Sequence, residues 1–410
     1  MEFQQQQYTI QGVDVIQLTR EFGSPVYVYD GNVIKQQIEK LKKAYSGVDL
    51  KIKYAAKALT NISILKFVRK QGIGVEVVSP EEAKLALRAG FRPEEIMFTP
   101  SGVDFSEIEE GVALGLPINL DNLSSLQKFG AKYGDKFPVS LRLNPSIMAG
   151  GNIKISTGHS SSKFGISVQQ LSEIQAIVAQ YNIVVDGLHI HTGSDIKETD
   201  AFIKTAQTLF ETAVHFPNLK FIDFGSGFKV AYKAGDPVTN IDELGKQLTA
   251  SFHEFCERYG RKLELRIEPG KFLVSESGTL LVNVNVVKQT PSITFAGVNS
   301  GLNHLIRPMM YDAYHHIVNV SNPTGAEKKY NIVGYICETD TFGSDRLLNE
   351  VREGDVLAFK NAGAYGFSMS SNYNSRPRPA EVLIIDGQAK LIRQRETFED
   401  ILRNQVEIDI

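Results

Sequence analysis

A lysine stands in Lys53-Tyr54-Ala55-Ala56-Lys57-Ala58-Leu59-Thr60-Asn61 where a short β-tending run gives way to a helix. The run from Lys51 to Ala58 alternates weakly, and Asn61 offers an N-cap to the helical spacing of Ile62, Ile64, Leu65 and Val68. Lys57 is thereby expected at the carboxyl end of a strand, where α/β folds gather their chemistry. An amine kept neutral there can form a Schiff base with a carbonyl compound. The plainer alternative is a surface lysine that closes a strand.

Three later stretches bear on that choice. In Asp223-Phe224-Gly225-Ser226-Gly227-Phe228 the small residues let backbone N–H groups approach an anion, although a tight turn would need them too. Glu268-Pro269-Gly270-Lys271 ends another strand, with Arg266 two residues earlier. Its carboxylate can hydrogen-bond a protonated pyridine nitrogen, and Gly270 can add a backbone donor to a phosphate; the alternative is a strand-end salt bridge. The third is His189-Ile190-His191-Thr192-Gly193-Ser194-Asp195. Histidines at i and i+2 share a strand face, but no third ligand stands at recognisable metal spacing. A flat ligand stacked by one imidazole and held by Ser194 is the better reading, with no metal expected.

These residues need a scaffold that collects strand ends. Short apolar strands are expected near Lys51, Val75, Ile96, Ile118, Val139, Val184, Phe221 and Leu263, with amphipathic helices between most of them. Eight such units fit a closed (β/α)8 TIM-type barrel better than an open doubly wound sheet. The loops after its seventh and eighth strands are then a favoured phosphate cradle. Ser79-Pro80-Glu81-Glu82 predicts a helix start with a capping box, and Gly90 its stop. Phe202, Ala206, Leu209, Phe210 and Ala213 form one stripe, which is core packing. Short β-like runs are expected at Tyr8 to Val15 and Pro25 to Tyr29, before a helix near Val33 to Tyr45. From about Leu280 the texture becomes alternating and turn-rich, with strands near Asn331, Val356 and Glu381. The expected division is a barrel over 27–270, with 1–26 and 271–410 forming a β-rich, Greek-key or β-barrel-like domain.

Composition bounds the function. The 410 residues carry a net charge of −3, which offers no global attraction to nucleic acid or an anionic membrane. Two cysteines, Cys256 and Cys337, build no disulfide framework. The amino terminus, with four glutamines after Phe3, has no signal-peptide pattern, and no apolar run approaches a membrane span. A cytoplasmic protein acting on a small molecule is the expectation.

Together, a lysine for a Schiff base, glycines for a phosphate, a histidine for stacking and a glutamate for a ring nitrogen describe a site for pyridoxal 5'-phosphate. Tyr54-Ala55-Ala56-Lys57-Ala58, His191-x-Gly193-Ser194, the loop 225–227 and Glu268-Pro269-Gly270 resemble the barrel-type, alanine-racemase-like pyridoxal-phosphate decarboxylases. Arg307-Pro308-Met309-Met310-Tyr311, Cys337-Glu338-Thr339-Asp340 and Gly363-Ala364-Tyr365-Gly366 extend the resemblance to the diaminopimelate decarboxylase family.

That resemblance implies decarboxylation of meso-2,6-diaminopimelate to L-lysine, the last step of lysine biosynthesis. It implies that Lys57 holds the cofactor and His191 stacks on its ring, with Ser194 nearby. Gly225, Ser226, Gly227, Gly270 and Tyr365 would serve the phosphate, and Glu268 would keep the ring nitrogen protonated. Arg307 and Tyr311 would bind the distal carboxylate of the substrate, with Lys271 and Tyr365 also at the substrate, and Glu338 its distal ammonium. Cys337 would return a proton to Cα. The resemblance further implies a homodimer with active sites at the interface, to which the Cys337 segment contributes. Residues Gly150 to His159, ahead of Lys163-Phe164-Gly165, resemble a loop that covers the site.

Two departures stand out. Many relatives carry arginine where Lys271 stands, so a bidentate fork is replaced by a point charge. Ser226 interrupts what is often a triple glycine. The rival readings are a sister decarboxylase acting on ornithine, lysine, arginine, a carboxy-polyamine or a siderophore intermediate, and an amino-acid racemase. Arg307 is hard to explain for a substrate without a distal carboxylate, and ornithine-type relatives tend to have Cys-Asp in place of Cys337-Glu338.

Overall fold

Strand closure defines one of two compact units, Lys35–Ala231 with Pro237–Leu273. The computed structural model describes residues 1–146, 158 and 162–410; apart from Gly158, the expected covering loop lies outside the described residues. Eight strands follow in chain order: Leu50–Ala55, Gly74–Val77, Ile96–Phe98, Ile118–Leu120, Val139–Asn144, Val185–Ile190, Phe221–Asp223 and Glu264–Ile267. Each pairs in parallel with the next, and the eighth returns to the first through Leu265–Leu50 and Ile267–Ile52. The sheet is therefore a closed (β/α)8 barrel, and each expected strand is found.

The strands are buried on both faces, yet they are not uniformly apolar. Ser140, Arg142 and Asn144 alternate with Leu141 and Leu143 in the fifth strand, and all five are buried. Glu76, Asn119, His189 and Asp223 are buried polar residues of the second, fourth, sixth and seventh strands. Buried polar groups persist only where they find partners or a ligand, so this polar set marks the barrel interior as functional.

Helices cover the barrel with the expected caps. Asn61 Oδ1 accepts the Ser63 N–H at 2.9 Å and starts helix Ile62–Lys70. Ser79 Oγ accepts the Glu82 N–H at 3.2 Å and starts Pro80–Arg88. The expected capping box is altered, however: the Glu82 carboxylate reaches past the cap and accepts the Val78 N–H at 2.9 Å. It ties the helix to the end of the second strand instead. In helix Thr199–Ala213 the expected stripe is buried, and Phe210 stacks on Phe255 of helix Ile241–Tyr259 with centroids 4.5 Å apart. Burial of each such large side chain is worth about 1.5–3 kcal/mol.

The second unit comprises Met1–Ile34, Tyr232–Asp236 and Val274–Ile410. Its spine is the strand Gly278–Gln289, whose first half pairs with Val26–Asp30 and Val356–Phe359. A register shift between Val284 and Val286 turns its second half onto Thr294–Val298. Glu327–Val333, Thr341–Asn349, Ala380–Ile385, Gln388–Arg393 and Ile317–Asn319 complete a nine-stranded sheet. Val26, Val28, Leu281, Val356, Val382 and Ile384 pack into its core. The amino-terminal run is shorter in strand than expected. Gln7–Ile10 and Val13–Asp14 form a hairpin, and Asp14 then caps helix Val15–Phe22 through the Ile16 N–H.

Candidate active site

The barrel places Lys57 in a single 3-10 turn, Ala56–Ala58, directly after the first strand. Its ammonium donates to Glu76 Oε2 at 3.3 Å, and that carboxylate is 2 % exposed. Asp223 ends the seventh strand, and Glu268 follows the eighth. Gly225 N–H donates to Asp223 Oδ1 at 2.8 Å, and the Glu268 N–H donates to the Gly225 carbonyl at 2.7 Å. The glycine loop and the strand-eight turn are thus one hydrogen-bonded structure.

His191 belongs to the same structure. Its Nδ1 accepts the backbone N–H of Ser226 at 3.2 Å, which fixes the ring and leaves its proton on Nε2. Burial, then Arg142 and Lys57, hold the imidazole well below its ordinary value, so it is neutral. Gly225 has φ +58, and a Cβ there would lie 2.7 Å from His191 Nδ1. At Gly227, φ is +122 and a Cβ would lie 2.3 Å from the Gly193 carbonyl oxygen. Both glycines are required by close approach as well as by backbone conformation.

Glu268 is buried. Its Oε2 is bonded to His189 Nε2 at 2.9 Å, while Oε1 has no hydrogen-bond partner among the described residues. Burial, and next the negative charge of Glu76, push this carboxyl up to about 8. Burial likewise raises Asp223 to about 7 and lowers His189 to about 4. One ligand atom from each of His189, Asp223 and Glu268 lies within 4.8 Å of the others. This carboxyl-rich cluster suits a cationic N–H donor. The two sequence histidines are not a pair: one bonds Glu268 and the other the Ser226 backbone.

Gly270 lies against the lysine turn, where a Cβ would stand 3.1 Å from that of Ala55 and 3.2 Å from that of Ala58. The Lys271 ammonium is ion-paired with Asp195 at 2.8 Å. Ser194 is half-buried beside it in the chain. A cavity of about 680 Å³ opens at the other end of the strands, lined by Lys51, Lys53, Gly74, Glu94, Glu264 and Arg266. There the buried Lys53 ammonium donates to the Glu94 and Glu95 carbonyls; barrel chemistry belongs to the opposite, carboxyl-terminal mouth.

In the second unit, Arg307 is buried at the start of the turn Arg307–Tyr311 and donates from Nη1 to the Tyr232 hydroxyl at 2.9 Å. His315 meets Tyr232 edge-on, and burial with the Arg307 charge holds it down to about 3. Tyr311 is half-buried, as is Tyr365, which has φ +56. Cys337 and Glu338 are exposed. Asn374 Nδ2 donates to Cys337 Sγ at 3.2 Å, and the Tyr373 hydroxyl donates to Glu338 Oε1 at 2.8 Å. Asp340 stabilises this turn by accepting the N–H groups of Leu302 and Ile336.

Sequence reasoning missed Glu76, Arg142, Tyr232, Tyr373 and Asn374. The first two are charged side chains inside short strands, a pattern that a strand with one solvated face shares until the closed barrel buries both faces. Tyr232 lies in a loop, and Asn374 is 37 residues from Cys337, so neither is distinguished by local pattern.

A (β/α)8 barrel with a lysine after its first strand, a glycine loop after its seventh and a buried glutamate after its eighth defines a class. Residues 32–275 match the family described as pyridoxal-dependent decarboxylase, pyridoxal binding domain. The diaminopimelate decarboxylase of Methanothermobacter thermautotrophicus is 38% identical over 406 residues, covering 97% of this chain and 95% of the relative. That of Escherichia coli K12 is 35% identical over 408 residues, covering 95% of each chain. The crystal structure of diaminopimelate decarboxylase from Helicobacter pylori complexed with L-lysine is 31% identical with a TM-score of 0.88, covering 95% of this chain and 98% of that one. The chain belongs to the diaminopimelate decarboxylase family. It is a carboxy-lyase dependent on pyridoxal 5'-phosphate.

Proposed function

We propose that the protein decarboxylates meso-2,6-diaminopimelate to L-lysine and carbon dioxide, and that the residues above divide the work as follows. The observation that carries the site assignment is Glu268, a buried carboxyl raised by its surroundings, one oxygen of which has no partner among the described residues. A protonated pyridine nitrogen satisfies both conditions, so the barrel fits the ring of the cofactor. The glycine loop fits the phosphate, with a distinction within it. The N–H groups of Gly225 and Ser226 are spent on Asp223 and His191. Gly227 N–H is then the loop's remaining backbone donor, with Gly270 and Tyr365 completing the set and the Ser226 hydroxyl only an auxiliary contact.

Pyridoxal phosphate, when bound, supplies a sink for the electron pair left at Cα when carbon dioxide departs. Lys57 would hold the cofactor, and Glu76 stabilises the ammonium form of that lysine. Glu268 holds a proton at the ring nitrogen. His191, neutral and locked by Ser226, offers a flat face to the ring. Arg307 and Tyr311 bind the distal carboxylate, an arginine fork being matched to two oxygens. Glu338 binds the distal ammonium and Cys337 returns a proton to Cα, worth about 10²–10⁴-fold for a positioned acid. Lys271 adds positive charge for the substrate, tempered by its ion pair with Asp195.

The same reading includes a homodimer, supported by the exposure of Cys337 and Glu338, and a cytoplasmic location. Among the described residues no helix is long and apolar enough to cross a membrane. The test is carbon dioxide release by the cofactor-loaded protein offered meso-diaminopimelate, ornithine, lysine and arginine separately. Release from diaminopimelate with lysine as product is expected. Release from ornithine instead would overturn the substrate, and release from none would overturn the activity.

A further inference from the structure

We infer that His189 is the positioning residue for Glu268, directing the oxygen that faces the cofactor by holding the other one in a fixed hydrogen bond. The inference rests on the cofactor assignment above and adds a residue to it. His189 lies in the sixth strand and is 2 % exposed, and its Nε2 is 2.9 Å from Glu268 Oε2. Its Nδ1 has no hydrogen-bond partner among the described residues. When Glu268 is ionised, both its oxygens are acceptors, so the bond is filled only if His189 carries its proton on Nε2. A doubly protonated ring would bury an unpaired N–H, and burial already disfavours it. His189 is thus a neutral donor of one proton to Oε2, and of the two Glu268 oxygens Oε1 is left to share a proton with a ring nitrogen.

The surrounding charges fit this role. Glu268 feels the charges of Glu76 of the second strand, Lys57 after the first, Arg142 of the fifth and, from the other end of the barrel, Lys53. Around His189 stand Arg142, Asp223, Glu76, Lys57 and, two residues on, His191. Asp223 is anchored by the Gly225 N–H, Oδ2 has no partner among the described residues, and His189 Nε2 is bonded to Glu268. None of these groups replaces the bond to Oε2. Without it the carboxylate can rotate about its terminal bond, which has two broad wells.

The test compares wild type, His189→Gln and His189→Leu as purified, cofactor-loaded proteins. Glutamine keeps a side-chain N–H donor, and leucine keeps only the volume. The pH titration of the cofactor's visible absorbance, read without substrate, is expected to move by about one unit or more in His189→Leu and to return towards wild type in His189→Gln. The kcat for the leucine variant is expected to fall about 10–100-fold, the usual scale for an outer partner of a functional group, with KM within twofold. Unmoved titration and kcat in His189→Leu would overturn the inference, as would equal damage in the two variants. Because the leucine variant can fail to fold, a second measurement uses wild type: solid-state nitrogen NMR of histidine-labelled, cofactor-loaded protein. A neutral His189 protonated at Nε2 is expected, and protonation at Nδ1 would overturn the inference alone. A wild-type protein that takes up no cofactor would overturn it together with the functional reading.

Discussion

The backbone N–H of Ser226 donates to Nδ1 of His191 across 3.2 Å, so the loop after the seventh strand sets the orientation of the imidazole after the sixth. The bond uses no atom of the serine side chain. It depends on Gly225, whose φ of +58 turns the chain and whose missing Cβ leaves room for the ring.

Opposite outcomes are expected at these neighbours. Gly225→Ala forces a Cβ to within 2.7 Å of His191 Nδ1 and 2.8 Å of the Ile190 carbonyl oxygen in a left-handed conformation. It is expected to cost roughly 1–3 kcal/mol of stability and to weaken cofactor binding at least tenfold. Ser226→Ala keeps the backbone donor and is expected to stay within a few-fold of wild type in cofactor affinity. Thermal melts and fluorescence titration with pyridoxal phosphate separate the two, and equal affinity in both would refute the linkage.

Lys57→Ala is expected to remove the visible absorbance of lysine-bound cofactor and turnover together. Absorbance spectra of the reloaded variant, with carbon dioxide release measured beside them, check this. Turnover persisting without added amine would take the lysine out of the reaction.

The cofactor-free protein has a pH dependence whose sign follows from Glu268. Its folded value of about 8 lies above the ordinary 4.5, so the folded state holds a proton that the unfolded state has lost. Stability therefore falls as pH rises between these values, and Asp223, raised to about 7, adds to the fall below that pH. His189, His304 and His315, lowered to about 4, 4 and 3, act in the opposite sense but only up to about 6.5. Lys53, lowered to about 8, restores stability only above that pH. Between about pH 6.5 and 8 the melting temperature is expected to drop, and Glu268→Gln to flatten the drop. In the loaded enzyme the same variant is expected to keep its cofactor while kcat falls by about 10²-fold or more, on the scale of acid–base effects. A melting curve of unchanged slope in the variant would mean that Glu268 does not carry the proton.

How much of this could be read beforehand depends on whether a residue's neighbours are local. The eight strands announce themselves because each is short, built around apolar residues and bounded by helical spacing, and the Asn61 and Ser79 caps are decided within three residues. Lys57 and Glu268 were legible because they stand at strand ends. Glu76 was not, since Val75-Glu76-Val77 also describes a strand with one solvated face; only closure of the barrel shows that both faces are buried. The Glu82 carboxylate had two backbone N–H groups in reach, and the path of the chain after the second strand decided for Val78. The partners of Cys337 and Arg307 come from loops positioned by long-range pairing, where spacing carries no information.

Cys337→Ala is expected to spare the cofactor spectrum and lower kcat by about 10²–10⁴-fold, the range for general acids. Asn374→Ala removes the amide that donates to Sγ at 3.2 Å, and a smaller loss of kcat with unchanged KM is expected, since the thiol remains but its direction is freed. Steady-state kinetics on diaminopimelate decide both. A Cys337→Ala rate equal to wild type would transfer the proton to another group.

Arg307 separates diaminopimelate from substrates without a distal carboxylate. Its guanidinium is buried and held laterally by the Tyr232 hydroxyl, with its carbon 5.0 Å from the Tyr232 ring centroid. That hold pre-organises a planar fork, and a lysine in its place keeps the charge but loses the paired donors. Arg307→Lys is expected to raise KM for diaminopimelate tenfold or more, the worth of one charge-assisted hydrogen bond at about 1.5 kcal/mol. Tyr232→Phe keeps the ring and removes the acceptor, so a smaller rise in the same parameter is expected, with kcat nearly preserved. An Arg307→Lys enzyme that loses kcat and keeps KM would place Arg307 at the reacting centre, because a group that binds only the distant end of the substrate contributes equally to the ground and transition states.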